Sequence, residues 1–344
     1  MTRFLASLLL VLLAGCDREA PMDRQQAYVF GTLVEVTVPG AQAERAKPAI
    51  TAVLARFDTL HRELHPWEDG TLTRINTALA RAPHQATVSP QLAALLRETQ
   101  QLAQQSDQLF DPAIGRLIAL WGFHQDLPQA RLPAPAALAA AQRDIPDMND
   151  LVIDGNTLRS RNPALQLDLG GYAKGYALDE AVRLLRQHGV RDALVNIGGN
   201  VIALGRAGER AWRIGIQAPR GAGVLATLAL HDGEAIGTSG DYQRYFESGG
   251  QRYCHLIDPR TGLPARGMQS VTVLVDGNGA GRRSDALSKP LFIAGPDALA
   301  SWVRRLKLRH VLAVDAQGGI WITPALAARL NWQTPPTGLH RLPG

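Results

Sequence analysis

Lysine is scarce in this chain, and nothing basic is run together. The 344 residues hold Lys+Arg 36 against Asp+Glu 31, a formal charge of +5, and the only lysines are Lys47, Lys174, Lys289 and Lys307. With no basic block and no basic stripe interleaved with aromatics, the sequence argues against nucleic acid as a partner. It also has no apolar run of the roughly 20 residues that a membrane-crossing helix needs. Repeats and low-complexity tracts are missing too. A composition 46% hydrophobic and 19% charged excludes a disordered or collagen-like chain and suffices for a sizeable core.

Cysteine is nearly absent, and its positions are informative. Arg3 precedes an apolar run, Phe4 to Ala14, broken only by Ser7. A positive residue before a short apolar stretch reads as a secretory signal. Leu13-Ala14-Gly15-Cys16 follows and resembles a bacterial lipobox, which implies a signal peptide over 1–15, lipidation of Cys16 and a tether over 16–27. Asp17 resembles the signal that keeps lipoproteins at the inner membrane of enteric bacteria, which implies a lipid-anchored protein facing the periplasm. Acylated Cys16 would leave Cys254 alone, so no intrachain disulfide could form. Cys254 adjoins His255, but neighbouring strand residues point to opposite faces, so Cys254 reads as a small buried hydrophobe.

Patterning beyond the tether mixes helices and strands without strict βαβ alternation, which indicates an α+β domain. Tyr28 to Val38 reads as a strand and Ala41 to Leu64 as a helix. Pro66 to Asn76 reads as a loop, and Ser89 before Pro90 as the N-cap of a helix reaching Ser106. An Ala/Pro-rich stretch between Leu127 and Pro146 reads as a surface excursion. Leu165 to Leu169 reads as a short strand, the run from Ala177 to Leu185 as an amphipathic helix, and Ala193 to Ile197 as a strand. Six more short strands are expected between Ala211 and Thr323. The domain is expected over 28–330, with 331–344 as a C-terminal tail.

Three segments could carry chemistry. Asp168-Leu169-Gly170-Gly171-Tyr172-Ala173-Lys174-Gly175 puts free N–H groups and a helix dipole beside one lysine, either an anion site or a plain turn. Its glycine spacing is not that of a Walker A loop. Asp258-Pro259-Arg260-Thr261-Gly262 is a turn in which Asp caps, Pro fixes φ and Gly accepts a positive φ. It would hold His255, structural or catalytic, on the strand before it. Ser284-Asp285-Ala286-Leu287-Ser288-Lys289-Pro290 reads as a loop entering a helix. Asp285 and Ser288 would share a face, fit either to hold Mg²⁺ or to cap the helix.

Taken in order, these motifs resemble the ApbE family of FAD:protein FMN transferases. The likeness rests on Phe30-Gly31-Thr32, Phe110-Asp111-Pro112 to Trp121-Gly122-Phe123, Asp168 to Gly175, Asn196-Ile197-Gly198-Gly199, Thr238-Ser239-Gly240, His255 to Gly262 and Asp285 to Lys289. It implies a single α+β domain that moves the FMN half of FAD onto a Thr or Ser hydroxyl of a periplasmic or membrane flavoprotein subunit, releasing AMP. The alternative is an envelope FAD carrier or FAD pyrophosphatase without transfer. By position, the resemblance implies that Phe30, Trp67, Leu109, Phe110, Asp111, Asp168, Lys174 and Ile257 line the FAD site. His255 and Asp285 would be catalytic, and Gly171, Asp285 and Ser288 would surround Mg²⁺. Three positions depart from the family pattern: Phe30 stands for Met, Trp67 for Tyr, and Lys289 for a Thr metal ligand. An ammonium cannot ligate Mg²⁺. Either it replaces the cation, or the metal site is lost, or Lys289 turns outward and a carbonyl ligates.

Overall fold

The computed structural model describes residues 21–125, 127–336 and 338–344. The signal peptide and Cys16 lie outside the described residues. Eight helices are present among them: α1 (Ala43–Leu64), α2 (Thr71–Ala80), α3 (Pro90–Gln105), α4 (Gly115–Leu120), α5 (Pro135–Gln142), α6 (Ala173–Gln187), α7 (Ala280–Arg305) and α8 (Pro324–Ala327). None is long and apolar enough to cross a membrane.

A nine-stranded sheet organises the molecule, its strands lying side by side in chain order. They are Met22–Val29, Thr32–Pro39, Ala193–Ile197, Asn200–Leu204, Ala235–Gly240, Met268–Val275, His310–Asp315, Ile320–Ile322 and Leu339–Arg341. Every neighbouring pair is antiparallel except the last. Period-two alternation sends Val271, Val273, Val311 and Ala313 to one face, into the main core with the helices. Leu274, Leu312 and Val314 point the other way, into a second core. That core is closed by α8 and by a small sheet of Trp212–Gln217, Val224–Leu230 and Asn331–Trp332. With both faces covered, all eight residues of Met268–Val275 are buried.

On the main-core face, α1 buries Ala46, Ile50, Val53, Phe57, Leu60 and Leu64 at helical spacing and packs on α6. Ser89 caps α3 as expected, its Oγ accepting from Leu92 N at 3.2 Å. α5 carries no buried residue, in keeping with a surface excursion.

Several expectations need correction. Tyr28 to Val38 is not one strand: the chain reverses at Phe30-Gly31, where φ is 57° and 67°, pairing Met22–Val29 with Thr32–Pro39. Residues 22–27, expected in the tether, are therefore sheet. Pro66 to Asn76 is not all loop, because α2 begins at Thr71 and buries Leu72, Ile75 and Leu79. The tail of 331–344 supplies one strand to the nine-stranded sheet and one to the small sheet over the second core, and buries Leu342. Asp285 and Ser288 lie inside α7, not where a loop enters it.

Candidate active site

The site is built around the N-terminus of α6. Residues 165–169, expected as a strand, are an extended segment with a single bridge to Ile114. The buried Asn76 side chain takes the place of a partner strand at Leu167. Its Oδ1 accepts from Leu167 N at 2.8 Å and its Nδ2 donates to Leu167 O at 2.9 Å. Gln166 N and Asp168 N donate to Ala113 O and Pro112 O, which lays Phe110-Asp111-Pro112 alongside Asp168. Asp168 Oδ1 accepts from Gly170 N at 2.8 Å. Burial raises the Asp168 pKa, against the pull of that hydrogen bond, of the Arg244 and His65 charges and of a hydrogen bond with the Trp67 side chain.

α6 and α7 cross where each has a glycine, and each caps the other. A Cβ on Gly175 would lie 2.4 Å from Gly281 O, and one on Gly281 would lie 2.4 Å from Gly175 O. Asp285 Oδ2 accepts from Gly175 N at 2.9 Å, while Asp179 accepts from Gly281 N and Arg282 N at 2.8 and 3.1 Å. Both carboxylates thus sit on first-turn N–H groups that a helix cannot satisfy internally. Gly237 continues the close packing, since a Cβ there would lie 2.6 Å from the Ser284 carbonyl group. Sequence reasoning missed Asp179, Gly281 and Asn76. The first two had a readable signal, the spacing Gly-x-x-x-Asp shared by Gly175/Asp179 and Gly281/Asp285.

The expected Mg²⁺ ligands do not fit a metal. Lys289 Nζ donates to both Oδ1 and the backbone O of Asp285, each at 2.7 Å. With Oδ2 held by Gly175 N, both carboxylate oxygens have donors. Ser288 Oγ donates to Asp285 O at 2.8 Å and lies 2.8 Å from Ser239 Oγ, so it faces the strand Ala235–Gly240. At Gly171 a Cβ would lie 2.7 Å from Lys289 Cε, so the lysine stem crosses the backbone whose carbonyl was expected to ligate. The donor set is filled by an ammonium, the wrong chemistry for a hard dication that seeks several oxygens at about 2.0–2.1 Å.

His255 stands nearby, half-buried on the segment after Gln251–Cys254. Its Nδ1 lies 3.1 Å from Arg244 O; a carbonyl only accepts, so Nδ1 carries the proton and Nε2 is a free acceptor. Burial first, then the charges of Arg244, Lys174 and Lys289, lower its pKa from 6.5 to about 3. Lys174 takes no protein acceptor among the described residues. Its pKa is lowered chiefly by burial; Asp285 opposes this, while Lys289 and Arg244 add to it. Lys174, Lys289 and Arg244 therefore gather at a helix N-terminus with two carboxylates, Asp285 beside the lysines and Asp168 facing Arg244, a cationic surplus suited to an anion. Arg244 was not singled out from the sequence; its Nη2 donates to Phe123 O and Gln125 O. Cys254 is buried, and burial pushes its thiol up to about 12, which leaves it an inert hydrophobe.

Aromatic side chains wall the site. Trp121 Nε1 donates to Gly262 O at 2.8 Å, docking one motif on the turn after His255. In that turn Asp258 accepts from Arg260 N and Gly262 has φ 68°, as read from the sequence. Phe123 lies edge-on to His255, and Trp67 packs against His124. Phe110 approaches Gly171 within the same shell as Lys289. A row of rings runs from Phe30 through His61 to His65, whose Nδ1 accepts from Trp67 N. Phe30 stands at the far end of that row from Asp168. Leu109, Asp111 and Ile257, expected to line the flavin site, are buried. Asp111 Oδ1 accepts from Ala113 N, and burial raises its pKa well above the usual carboxylate value.

The sequence model of the ApbE family matches residues 30–313. An FAD:protein FMN transferase of Rhodobacter capsulatus is 45% identical over 91% of this chain, which spans 59% of that relative's length. The enzyme of the same name from Klebsiella pneumoniae is 32% identical, with 94% of this chain and 96% of the relative covered. The crystal structure of the ApbE protein of Thermotoga maritima superposes with a TM-score of 0.81 at 29% identity, covering 90% of this chain and 99% of that one.

Proposed function

This chain belongs to the ApbE family, and we propose from that membership and from its site that it is an FAD:protein FMN transferase. The observation that carries the reading is the Nδ1-anchored His255, whose Nε2 is left to accept, within reach of the positive charges of Lys174, Arg244 and Lys289. Lys174, Arg244 and Lys289 receive the FAD pyrophosphate, and the aromatic wall of Trp67 and Phe110 receives apolar parts of the substrate. The hydroxyl oxygen of an acceptor Thr or Ser attacks the FMN-side phosphorus. His255 Nε2 takes the hydroxyl proton, the P–O bond to the AMP phosphate breaks, and AMP leaves. The product is an FMN phosphoester on the acceptor. Such chemistry depends on positioning and on charge neutralisation, both of which this site supplies. Asp285 acts by holding the start of α6 and the Lys289 ammonium in place. The residues around Asp285 do not fit Mg²⁺.

The name shared by the relatives favours transfer over FAD carriage or simple hydrolysis. We place the enzyme in the bacterial envelope, anchored through a lipid on Cys16 and facing the periplasm. The support is the sequence around Cys16. Its partner is a periplasmic or membrane flavoprotein subunit.

The test incubates the full chain with FAD and a flavoprotein domain bearing an acceptor Thr. In-gel flavin fluorescence and mass spectrometry should find the acceptor heavier by one FMN, with one AMP released per adduct. Bound FAD with neither adduct nor AMP would contradict the reading.

A further inference from the structure

Lys289 stands where a metal ligand was expected, and its surroundings are those of a cation site. Its ammonium meets two oxygens of Asp285 at 2.7 Å each, and the side chain is only 15% exposed. The stem cannot easily swing aside, because it is confined between the Gly171 backbone and Asp285. A lysine that served only to lock α7 would neutralise Asp285 and leave no surplus. Here Lys174 and Arg244 stand in the same electrostatic neighbourhood, and with Lys289 they make three cationic side chains against the two carboxylates Asp285 and Asp168, a surplus of one positive charge for an anion. We propose that the Lys289 ammonium is this protein's resident substitute for a divalent cation, so that FAD is bound through its pyrophosphate without Mg²⁺.

This inference rests on the transferase reading and deepens it. Geometry sets the role: α7 places residue 289 one turn after Asp285, on the same face. A lysine there reaches back along the helix to the carboxylate that a dication would otherwise share. The ammonium supplies one positive charge where a dication supplies two. Lys174, which takes no acceptor among the described residues, supplies a second. The arrangement gains independence from ambient metal, since Lys289 is covalently part of the site.

The experiment measures FAD binding to the full chain by flavin fluorescence anisotropy, in EDTA and in excess Mg²⁺, for the wild type and for Lys289→Thr. The wild type should bind FAD with the same affinity in both. In EDTA, Lys289→Thr should bind at least about tenfold more weakly, and added Mg²⁺ should restore much of the loss. As a second readout, Mn²⁺ titrated alone and followed by electron paramagnetic resonance should show no protein-bound ion on the wild type. Wild-type affinity that collapses in EDTA, or one Mn²⁺ bound per wild-type chain, would overturn the inference and leave the transferase reading standing. Failure of the wild type to bind FAD under either condition would overturn both. The wild-type arms decide the matter even if the variant does not fold.

Discussion

His255 illustrates how a single residue acquires a role from its neighbours. Its Nδ1 proton is held by Arg244 O, which fixes the tautomer and turns Nε2 into the basic atom. His255→Gln should therefore lower the transfer rate by about 10²–10⁴-fold while FAD binding, measured by anisotropy, stays close to that of the wild type. A loss confined to FAD affinity would instead make His255 a binding residue. The low pKa has its own consequence. A group held at about 3 rather than 6.5 is already deprotonated throughout the neutral range. The pH profile of kcat/KM, which reports the free enzyme, should show no inflection near 6.5 from this residue. The same shift has a sign for stability: below 6.5 the unfolded chain binds this proton and the folded one does not. This histidine's contribution to stability is therefore fully present above that pH and diminishes as pH falls towards 3. At this scale the sequence singled out His255, Lys174 and Asp285 by residue type, but it read Asp285 as a metal ligand where the fold gives it Gly175 N and the Lys289 ammonium. Arg244 was hidden because an arginine among many carries no local signal; only the fold brings it to the histidine.

Among the elements, the α6/α7 crossing matters most, because it positions Lys174, Asp285 and Lys289 together. Two glycines permit the approach and two aspartates cap it. Gly175→Ala would force a methyl group against Gly281 O and Arg282 Cα. Overpacking of this kind costs about 1–3 kcal/mol, and the rigid backbone on both sides leaves little room to relax. Urea unfolding should show a lower midpoint at an unchanged slope; an unchanged midpoint would mean that the helices do not meet as described. Helices with strong periodicity were legible in the sequence: α1, α3 with its Ser-Pro start, and α6. α2 was not, because Thr71, Thr73, Asn76 and Thr77 are weak helix formers and the element is held by burial of Leu72, Ile75 and Leu79. The reversal at Phe30-Gly31 escaped notice for a related reason. Phenylalanine rarely accepts a positive φ, and the alternating valines that follow suggested one continuous strand. Residues 165–169 failed as a strand because Asn76, far away in the chain, satisfies the backbone in place of a strand neighbour.

The whole molecule is organised by a nine-stranded sheet whose strands follow chain order, with the site on the helical side and a second core behind. The α+β class followed from the mixture of patterns. The closure of the sheet by the C-terminus did not, because the Pro- and Gly-rich final residues resemble a tail. Leu342 is buried, and Leu339–Arg341 pairs with Ile320–Ile322. Deleting residues 339–344 should lower stability by at least about 1.5–3 kcal/mol, the worth of one buried leucine, seen as a lower urea midpoint. The proposed reaction, joining a flavin nucleotide to another protein's hydroxyl, draws on the whole molecule. The most direct measurement runs the reaction with FAD and acceptor in water enriched in heavy oxygen, followed by mass spectrometry of the FMN-bearing product and of AMP. Transfer to the acceptor predicts an FMN adduct and AMP, both free of the heavy label, because no water oxygen enters either bond. Heavy oxygen in free FMN or in AMP, with the acceptor unmodified, would mean that water is the nucleophile and would contradict the account.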